Sequence, residues 1–314
     1  MLSGLNDLYR IYKDVPVGAL ASLMVRALRL RGGSQLTARP VAGSAAQAHG
    51  KDGAARRKRL VISLTTTPAR IDRIRPVLNS LIDQDTPADA ILLAVPRFSR
   101  RENVEYRIPG WLDRSGALTI LRCDDWGPAT KLIPALMQET DGETLLLTVD
   151  DDVIYPPDLV STFHEWHSKY PDAALGYRGW SLPKSLRWQA TKTLYATSAR
   201  SVQPVDVLTG TWGYLVQPRF FDRGVFDYSG YPRAAYFVDD IWFNGHLARG
   251  GVPRLLVPGR LPPLSTRIGR VRGLTFLENR DGTTNNEVIR AFAEHWTCNA
   301  GRKQFNLAAD RNAA

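Results

Sequence analysis

The sequence predicts an α/β protein with a mainly parallel central sheet sandwiched by helices and a helical extension in front of it. Three observations lead there. From residue 60 onward, short apolar runs alternate with stretches of helical periodicity, the pattern of strands joined by crossover helices. The runs are apolar at nearly every position, as strands covered on both faces are. The first 59 residues differ in charge from the rest: they hold 11 Lys/Arg against 3 Asp/Glu, a net of +8, while the other 255 hold 30 against 28. Two regions follow, a basic N-terminal extension over 1–59 and a main domain over 60–314.

In the extension, residues 15–31 place Leu20, Leu23, Met24, Ala27 and Leu28 on one helical face, with Arg26, Arg29 and Arg31 towards its C-terminal end. Two readings stay open: an amphipathic helix on an anionic membrane surface, or a helix docked on the domain or on another subunit. Residues 32–55 are rich in Gly, Ala and Ser and read as a flexible linker. Arg56-Arg57-Lys58-Arg59 is a solvated basic run, with anionic lipid as its second reading.

In the domain, Leu60–Leu64 is the first strand. Pro68 to Gln84 reads as a helix with Ile71, Ile74, Val77, Leu78, Leu81 and Ile82 on one side. Ala90–Val95 is the second strand, ended by Pro96, and Leu118–Leu121 the third. Thr130 to Gln138 is a helix, Thr144–Val149 the fourth strand, and Pro157 to Lys169 a helix carrying Leu159, Phe163 and Trp166. Ligands of such sheets sit beyond the carboxyl ends of the strands. The loops Thr65-Thr66-Thr67 and Asp150-Asp151-Asp152 both fall on that rim. A loop-rich segment from Leu261 to Gly282 reads as a lid, and Thr284 opens a helix running to Trp296.

Composition excludes some functions. The body is close to neutral, and no recognition-helix, RNP-like or zinc-finger pattern is present, so no nucleic-acid partner is expected. Cys123 and Cys298 lie far apart in no metal-ligand spacing, which indicates a reducing, cytoplasmic compartment. No secretory signal is evident. No stretch approaches the roughly 18–20 apolar residues that span a bilayer.

The chemistry concentrates in a few clusters. Three carboxylates at the end of a buried strand repel one another and lose solvation, so they need a cation or a charged ligand. Alternation along the strand puts Asp150 and Asp152 on one face and Asp151 on the other. Two carboxylates on one face suit a divalent metal that also holds phosphates. Asp239-Asp240 sits among Tyr236, Phe237, Val238, Ile241 and Trp242. There a carboxylate can act as a general base with raised proton affinity, or cap the helix that follows. Lys131, at the expected start of a helix, and Arg70, after Thr65-Thr66-Thr67-Pro68, suit phosphate. Asp124 and Asp125 follow the third strand and could accept hydrogen bonds from a base or ribose. The glycines around Trp212 let backbone approach a ligand, and a tryptophan face suits a sugar ring; a core tryptophan at a tight turn is the plainer reading. His49, His164, His167, His246 and His295 form no compact ligand motif, although His295 could reach a metal from the C-terminal part.

Together these pieces resemble the GT-A superfamily of nucleotide-sugar glycosyltransferases, especially bacterial family-2-like enzymes. The matching segments are Val61 to Ile71, Gly127-Pro128-Ala129-Thr130-Lys131, Asp150-Asp151-Asp152, Gly210-Thr211-Trp212-Gly213 and Asp239-Asp240. They cover about residues 60–260. The resemblance implies a GT-A fold and Mn²⁺ or Mg²⁺ on Asp152 and Asp150, the acidic positions of a DxD motif. It implies a nucleoside-diphosphate sugar, such as a UDP-sugar, against Thr65, Thr67, Arg70, Asp124, Lys131, Asp150, Asp151 and Trp212, of which Asp151 is least expected to touch it. Asp240 then corresponds to the general base, with Asp239 where the family carries Glu. No clear Gln-x-x-Arg-Trp motif is present, although Arg187-Trp188 echoes part of it, so transfer of a single sugar with inversion is implied. The activity would be of hexosyl- or deoxyhexosyltransferase type, acting on a glycan or glycolipid in polysaccharide biosynthesis, with peripheral contact at the inner face of the membrane through the N-terminal segment. Two other readings stay open: a sugar-nucleotide nucleotidyltransferase, against which the Thr-Thr-Thr-Pro first loop counts, and a non-catalytic membrane-associated binding module.

Overall fold

The apolar run that opens the domain becomes β1 (Leu60–Thr65), an interior strand of an eight-stranded sheet. The computed structural model describes residues 9, 11–32, 57–266 and 282–296. After β1 come β2 (Ala90–Pro96), a short ribbon of β3 (Phe98–Ser99) and β4 (Val104–Glu105), then β5 (Thr119–Cys123), β6 (Leu145–Thr148) and β7 (Val153–Ile154). The second half adds β8 (Ala174–Gly176), β9 (Arg178–Ser181), β10 (Lys192–Tyr195), β11 (Gln203–Pro204), β12 (Val207–Leu208), β13 (Tyr214–Val216), β14 (Arg254–Leu256) and β15 (Leu264–Ser265). The main sheet runs β11-β14-β8-β13-β6-β1-β2-β5. β5, β2, β1 and β6 are mutually parallel, β13 opposes both β6 and β8, β14 follows β8, and β11 opposes β14. Six of the eight strands therefore point one way. A second, antiparallel sheet of order β10-β9-β12 rises beside the carboxyl ends of the main strands.

Helices cover both faces. Leu60, Ile62, Leu64, Leu145 and Leu147 turn towards α2 (Arg75–Ile82) and α5 (Leu159–Lys169), where Val77, Leu78, Leu81, Val160 and Phe163 are buried with them. The alternate residues Val61, Leu92, Leu146 and Val216 turn to the other face. There they meet Ile133 and Leu136 of α4 (Ile133–Gln138), Ile241 and Trp242 of α6 (Asp239–Arg249) and Val288 and Ile289 of α7 (Thr283–Ala291). The period-2 alternation thus feeds two cores from one sheet. A four-residue α3 (Gly110–Asp113) precedes β5.

Three expected helices are shorter than their periodicity implied; the one expected from Thr284 to Trp296 runs from Thr283 to Ala291 and gives way to a turn, and two are divided by proline. The stretch from Pro68 splits into a 3-10 turn, Ile71–Arg73, and α2, with Pro76 in the helix's first turn. The stretch from Thr130 splits into a 3-10 turn, Gly127–Lys131, and α4, with Pro134 in its first turn. Proline lacks the N–H that an interior position must donate, so it starts a helix and does not continue one.

In the extension, α1 (Val17–Gly32) docks on the domain through Leu23, Ala27 and Leu30. Arg26 fixes it, donating to the Asp83 carboxylate at 3.0 Å and to the Tyr155 carbonyl at 2.7 Å. Of the face expected from the sequence, Met24 and Leu28 instead remain exposed. No helix among the described residues is long and apolar enough to cross a membrane. The linker expected over 32–55, apart from Gly32, lies outside the described residues. So do Arg56, residues 267–281 of the expected lid, His49 and Cys298.

Candidate active site

β6 ends at Thr148, so the three aspartates lie in the turn beyond it. That turn is pinned at several points. β7 pairs with β15, and Thr266 donates its backbone N–H and its hydroxyl to the Asp152 carbonyl at 2.7 and 2.8 Å. The Asp150 N–H donates to the buried Tyr155 hydroxyl at 2.8 Å. With the backbone held from both sides, the three carboxylates take different partners.

Asp151 is buried and takes a 2.6 Å hydrogen bond from the Thr66 hydroxyl and a 2.8 Å ion pair from Arg70 Nη1. Burial raises its pKa, and Arg70 and Thr66 pull it back down. Arg70 also lies 3.7 Å from Asp152 Oδ2, so its charge neutralises the turn from below. Asp150 and Asp152 keep 25% and 26% of their side-chain surface open towards a cavity of about 640 Å³. Asp152 has its pKa pushed up to about 7, by burial first and then by Asp150 and Asp151.

The opposite wall is the start of α6. The helix cap is Val238, so Asp239 and Asp240 both occupy the first turn and neither is the cap the sequence allowed for. Their charges complement the free N–H groups there. Asn244 holds the helix against β12, exchanging hydrogen bonds of 2.9 Å with both backbone groups of Leu208 and donating to the Asp240 carbonyl at 2.7 Å. The Asp240 Oδ1 accepts from the Gly210 N–H at 3.0 Å.

Lys131 joins the two walls. Its side chain is only 6% exposed, and Nζ lies 2.8 Å from Asp150, 2.8 Å from Asp239 and 3.4 Å from Asp240. Burial alone would lower its pKa, but the three carboxylates outweigh that and raise it well above the usual lysine value. Lys131 stands at the end of a 3-10 turn and not at the helix N-terminus expected for phosphate contact. Its charge is spent on the protein's own carboxylates. Asp240 has its pKa pushed up to about 7 by burial; Lys131 lowers it, and Asp239 and Asp150 raise it. Asp239 is raised as well, again chiefly by burial and against the pull of Lys131.

Gly210 is required for this packing. A Cβ there would stand 2.8 Å from Asp150 Oδ1 and would strike Lys131 Nζ. The glycine's room is therefore taken by the ion cluster and not by a ligand. Gly210→Ala is expected to destabilise the protein by about 1–3 kcal/mol in urea unfolding, the cost of overpacking. Unchanged stability would mean that the Lys131–Asp150 pair can yield.

Other expected site residues divide. Thr65 lines the cavity, but its hydroxyl donates to the Ala94 carbonyl at 2.7 Å. Thr67 lines it with a buried hydroxyl that has no hydrogen-bond partner among the described residues. Asp124 is exposed and lies off the cavity, whereas Asp125 lines it, accepting from the Gly127 and Arg100 N–H groups at 2.7 Å each. The expectation that Asp124 meets the donor is therefore corrected to its neighbour: both residues lie beyond the end of β5 at Cys123, and it is Asp125 that turns to the cavity. Trp212 is buried against Tyr195, with ring centroids 5.2 Å apart, and does not line the cavity, so the plainer reading holds. Thr211 lines it instead, with its hydroxyl 3.1 Å from Asp150 Oδ2. His295 is exposed and off the cavity. His164, His167 and His246 have pKa values lowered to about 4, by burial first.

The aromatic wall escaped the sequence reading. Trp180 of β9 and Trp188 meet edge-to-face at 4.3 Å and line the cavity, with Arg178 beneath at 5.3 Å from the Trp180 ring. The Trp188 backbone N–H donates to Asn286 Oδ1 of α7 at 2.7 Å. The partial Arg187-Trp188 echo was the one signal that pointed there.

Two carboxylates at the open end of a charged turn fit a hard divalent cation that takes its remaining ligands from a bound phosphate ligand and water. Among the described residues no group of three or more His, Cys, Asp or Glu could hold a metal alone.

No family model and no curated protein matches the chain. Among solved structures it is similar to the mannosyltransferase PcManGT of Pyrobaculum calidifontis, in complex with GDP-Man and Mn²⁺. That likeness has 18% identity and a TM-score of 0.44, over 76% of this chain and 69% of that one. It is similar to GalNAc-T7 with UDP, GalNAc and Mn²⁺, at 13% identity and a TM-score of 0.47, over 65% of this chain and 43% of the other. A third is S. aureus TarS 1–349 in complex with UDP-GlcNAc, at 13% and 0.44, over 67% and 58%. At these values the likenesses say nothing of this chain's activity.

Proposed function

We propose that the protein is a metal-dependent, inverting glycosyltransferase that moves one sugar from a nucleoside-diphosphate sugar to a hydroxyl of a glycan or glycolipid. One observation carries the reading. The Asp150–Asp152 turn and the Asp239–Asp240 pair line a single cavity, joined by one buried lysine. The cavity's volume suits a ligand of nucleotide-sugar size, and its aromatic wall suits a ring face.

Asp150 and Asp152 would hold the metal; Mn²⁺ or Mg²⁺ bound there supplies positive charge against the two phosphates and the leaving diphosphate. Asp240 is the base. Compared with Asp239 it is more exposed, 19% against 10%, and its contact with Lys131 is longer, 3.4 Å against 2.8 Å. A carboxylate with a pKa near 7 accepts a proton readily at neutral pH. In the step itself the acceptor oxygen bonds to the anomeric carbon as the sugar–phosphate bond breaks. The bonding pair leaves with the diphosphate, and the hydroxyl proton passes to Asp240. Lys131 keeps Asp240 oriented without neutralising it fully, and Arg70 with Asp151 keeps the turn in place beneath the phosphates.

A panel of nucleotide sugars incubated with Mn²⁺ tests the reading through slow donor hydrolysis. One donor is expected to be consumed, with loss of turnover in EDTA. Asp152→Ala is expected to abolish the metal-dependent turnover while leaving the melting temperature within a few degrees. Undiminished turnover in EDTA or in the variant overturns the metal assignment, and consumption of no donor overturns the transferase reading.

A further inference from the structure

The face of α1 turned away from the domain carries an apolar stripe with no partner among the described residues. Val17, Met24, Val25 and Leu28 are 84%, 61%, 67% and 63% exposed. With Ala21, also exposed, they recur at the spacing of a single helical face. The opposite face is already committed, through Leu23, Ala27, Leu30 and the Arg26 contacts. Aqueous exposure of a continuous stripe is unfavourable by about 25 cal/mol per Å² of apolar surface, so the stripe implies an apolar neighbour.

We propose that this stripe seats the protein on an anionic lipid surface. Charge decides the occupant. Arg31 is exposed at the stripe's C-terminal end, Arg29 beside it is 70% exposed while one of its nitrogens pairs with the half-exposed Asp83 at 3.0 Å, and residues 1–59 carry a net charge of +8. Anionic headgroups complement both, and a helix with apolar residues on one face and arginines beside it lies at the headgroup boundary. A second copy of the chain is less well matched, since the first turn of α1 holds no acidic residue to meet a partner's arginines. The seat also has a place in the fold. Arg26 of the same helix binds the carbonyl of Tyr155, whose hydroxyl accepts from the N–H of Asp150. Ala27 and Leu30 pack on Ile154, two residues beyond Asp152. The docked helix is therefore the back support of the acidic turn, and a surface bound to α1 lies against the element that shapes the cavity.

The full chain, sedimented with vesicles, is the test. Phosphatidylcholine vesicles carrying about a third phosphatidylglycerol are expected to bind it, pure phosphatidylcholine vesicles to bind at least tenfold less, and added salt to weaken the binding. Arg29→Gln is expected to lower partition roughly fivefold. Met24→Glu with Leu28→Glu is expected to lower it at least tenfold, with the melting temperature unchanged because both side chains are exposed. Anionic-vesicle binding that the double variant leaves untouched overturns the proposal, because the basic tail alone then accounts for it. No binding overturns it as well. A concentration-dependent dimer that the same double variant abolishes overturns it in favour of self-association. None of these outcomes depends on sugar transfer.

Discussion

Lys131→Met is expected to lower stability at neutral pH by about 3–5 kcal/mol, the usual cost of stripping a buried ion cluster of one partner. In thermal unfolding that is a fall of roughly 10 °C for a domain of this size. Methionine fills most of the lysine's volume, so the effect isolates charge. It leaves Asp150, Asp239 and Asp240 without the cation that now lies within 3.4 Å of each. The sign of the pH dependence follows from the carboxylates. Burial already raises the pKa values of Asp239 and Asp240, the latter to about 7. Folding therefore takes up protons between the ordinary carboxylate value of about 4 and those raised values, and each ionised group opposes folding as pH climbs through that window. Loss of Lys131 removes the strongest pull in the other direction, raising both further. The deficit of the variant is thus expected to be largest near pH 8 and to shrink towards pH 5, where the carboxylates hold their protons without help. Melting curves at the two pH values check this. A deficit independent of pH would mean that the lysine contributes packing alone. Adding Asp240→Asn to the variant is expected to recover part of the loss, since one of the uncompensated charges is then gone.

The two acidic clusters that line the candidate site were legible in the sequence for a simple reason. Each is a run of adjacent aspartates beside a strongly apolar segment, and the desolvation of such a run is a local property. β1, β2, β5 and β6 were legible on the same ground, their apolar runs being long enough to stand out. What joins the halves was not legible. Lys131 lies 19 residues from Asp150 and 109 from Asp240, and no local pattern encodes a contact made by closing the sheet. Its sequence neighbourhood suggested phosphate, whereas its burial assigns it to the carboxylates. The second sheet was missed because β9, β10 and β12 are two to four residues long and mix Arg178, Trp180 and Thr193 with glycine. Segments that short show no period. Trp212 drew notice because glycines flank it. Those glycines serve the turn, where Gly213 has φ +86°, and the close approach of Lys131 to Gly210, whereas the tryptophans that line the cavity are Trp180 and Trp188.

The second large effect is expected from Asp240→Asn, and it separates the base from its neighbour. Loss of a general base costs about 10²- to 10⁴-fold in turnover. Donor affinity is expected to change little, because a general base acts on the acceptor hydroxyl and not on the donor's phosphates. The wild-type pH profile of kcat/KM is expected to fall about tenfold per pH unit below roughly 7, as the Asp240 carboxylate takes up the proton it must leave free. Asparagine has no such proton, so the residual activity of the variant is expected to be flat across that range. Asp239→Asn behaves differently under the same assignment. It breaks the 2.8 Å ion pair with Lys131, so its main cost falls on stability. Its profile keeps the acid limb, displaced to lower pH because one neighbouring negative charge has gone. The pair of profiles therefore identifies the base without a bound acceptor. If the acid limb vanishes in Asp239→Asn and survives in Asp240→Asn, the two roles are exchanged. The first residue of α6 then takes the proton, and the second serves to hold Gly210 and the lysine in register.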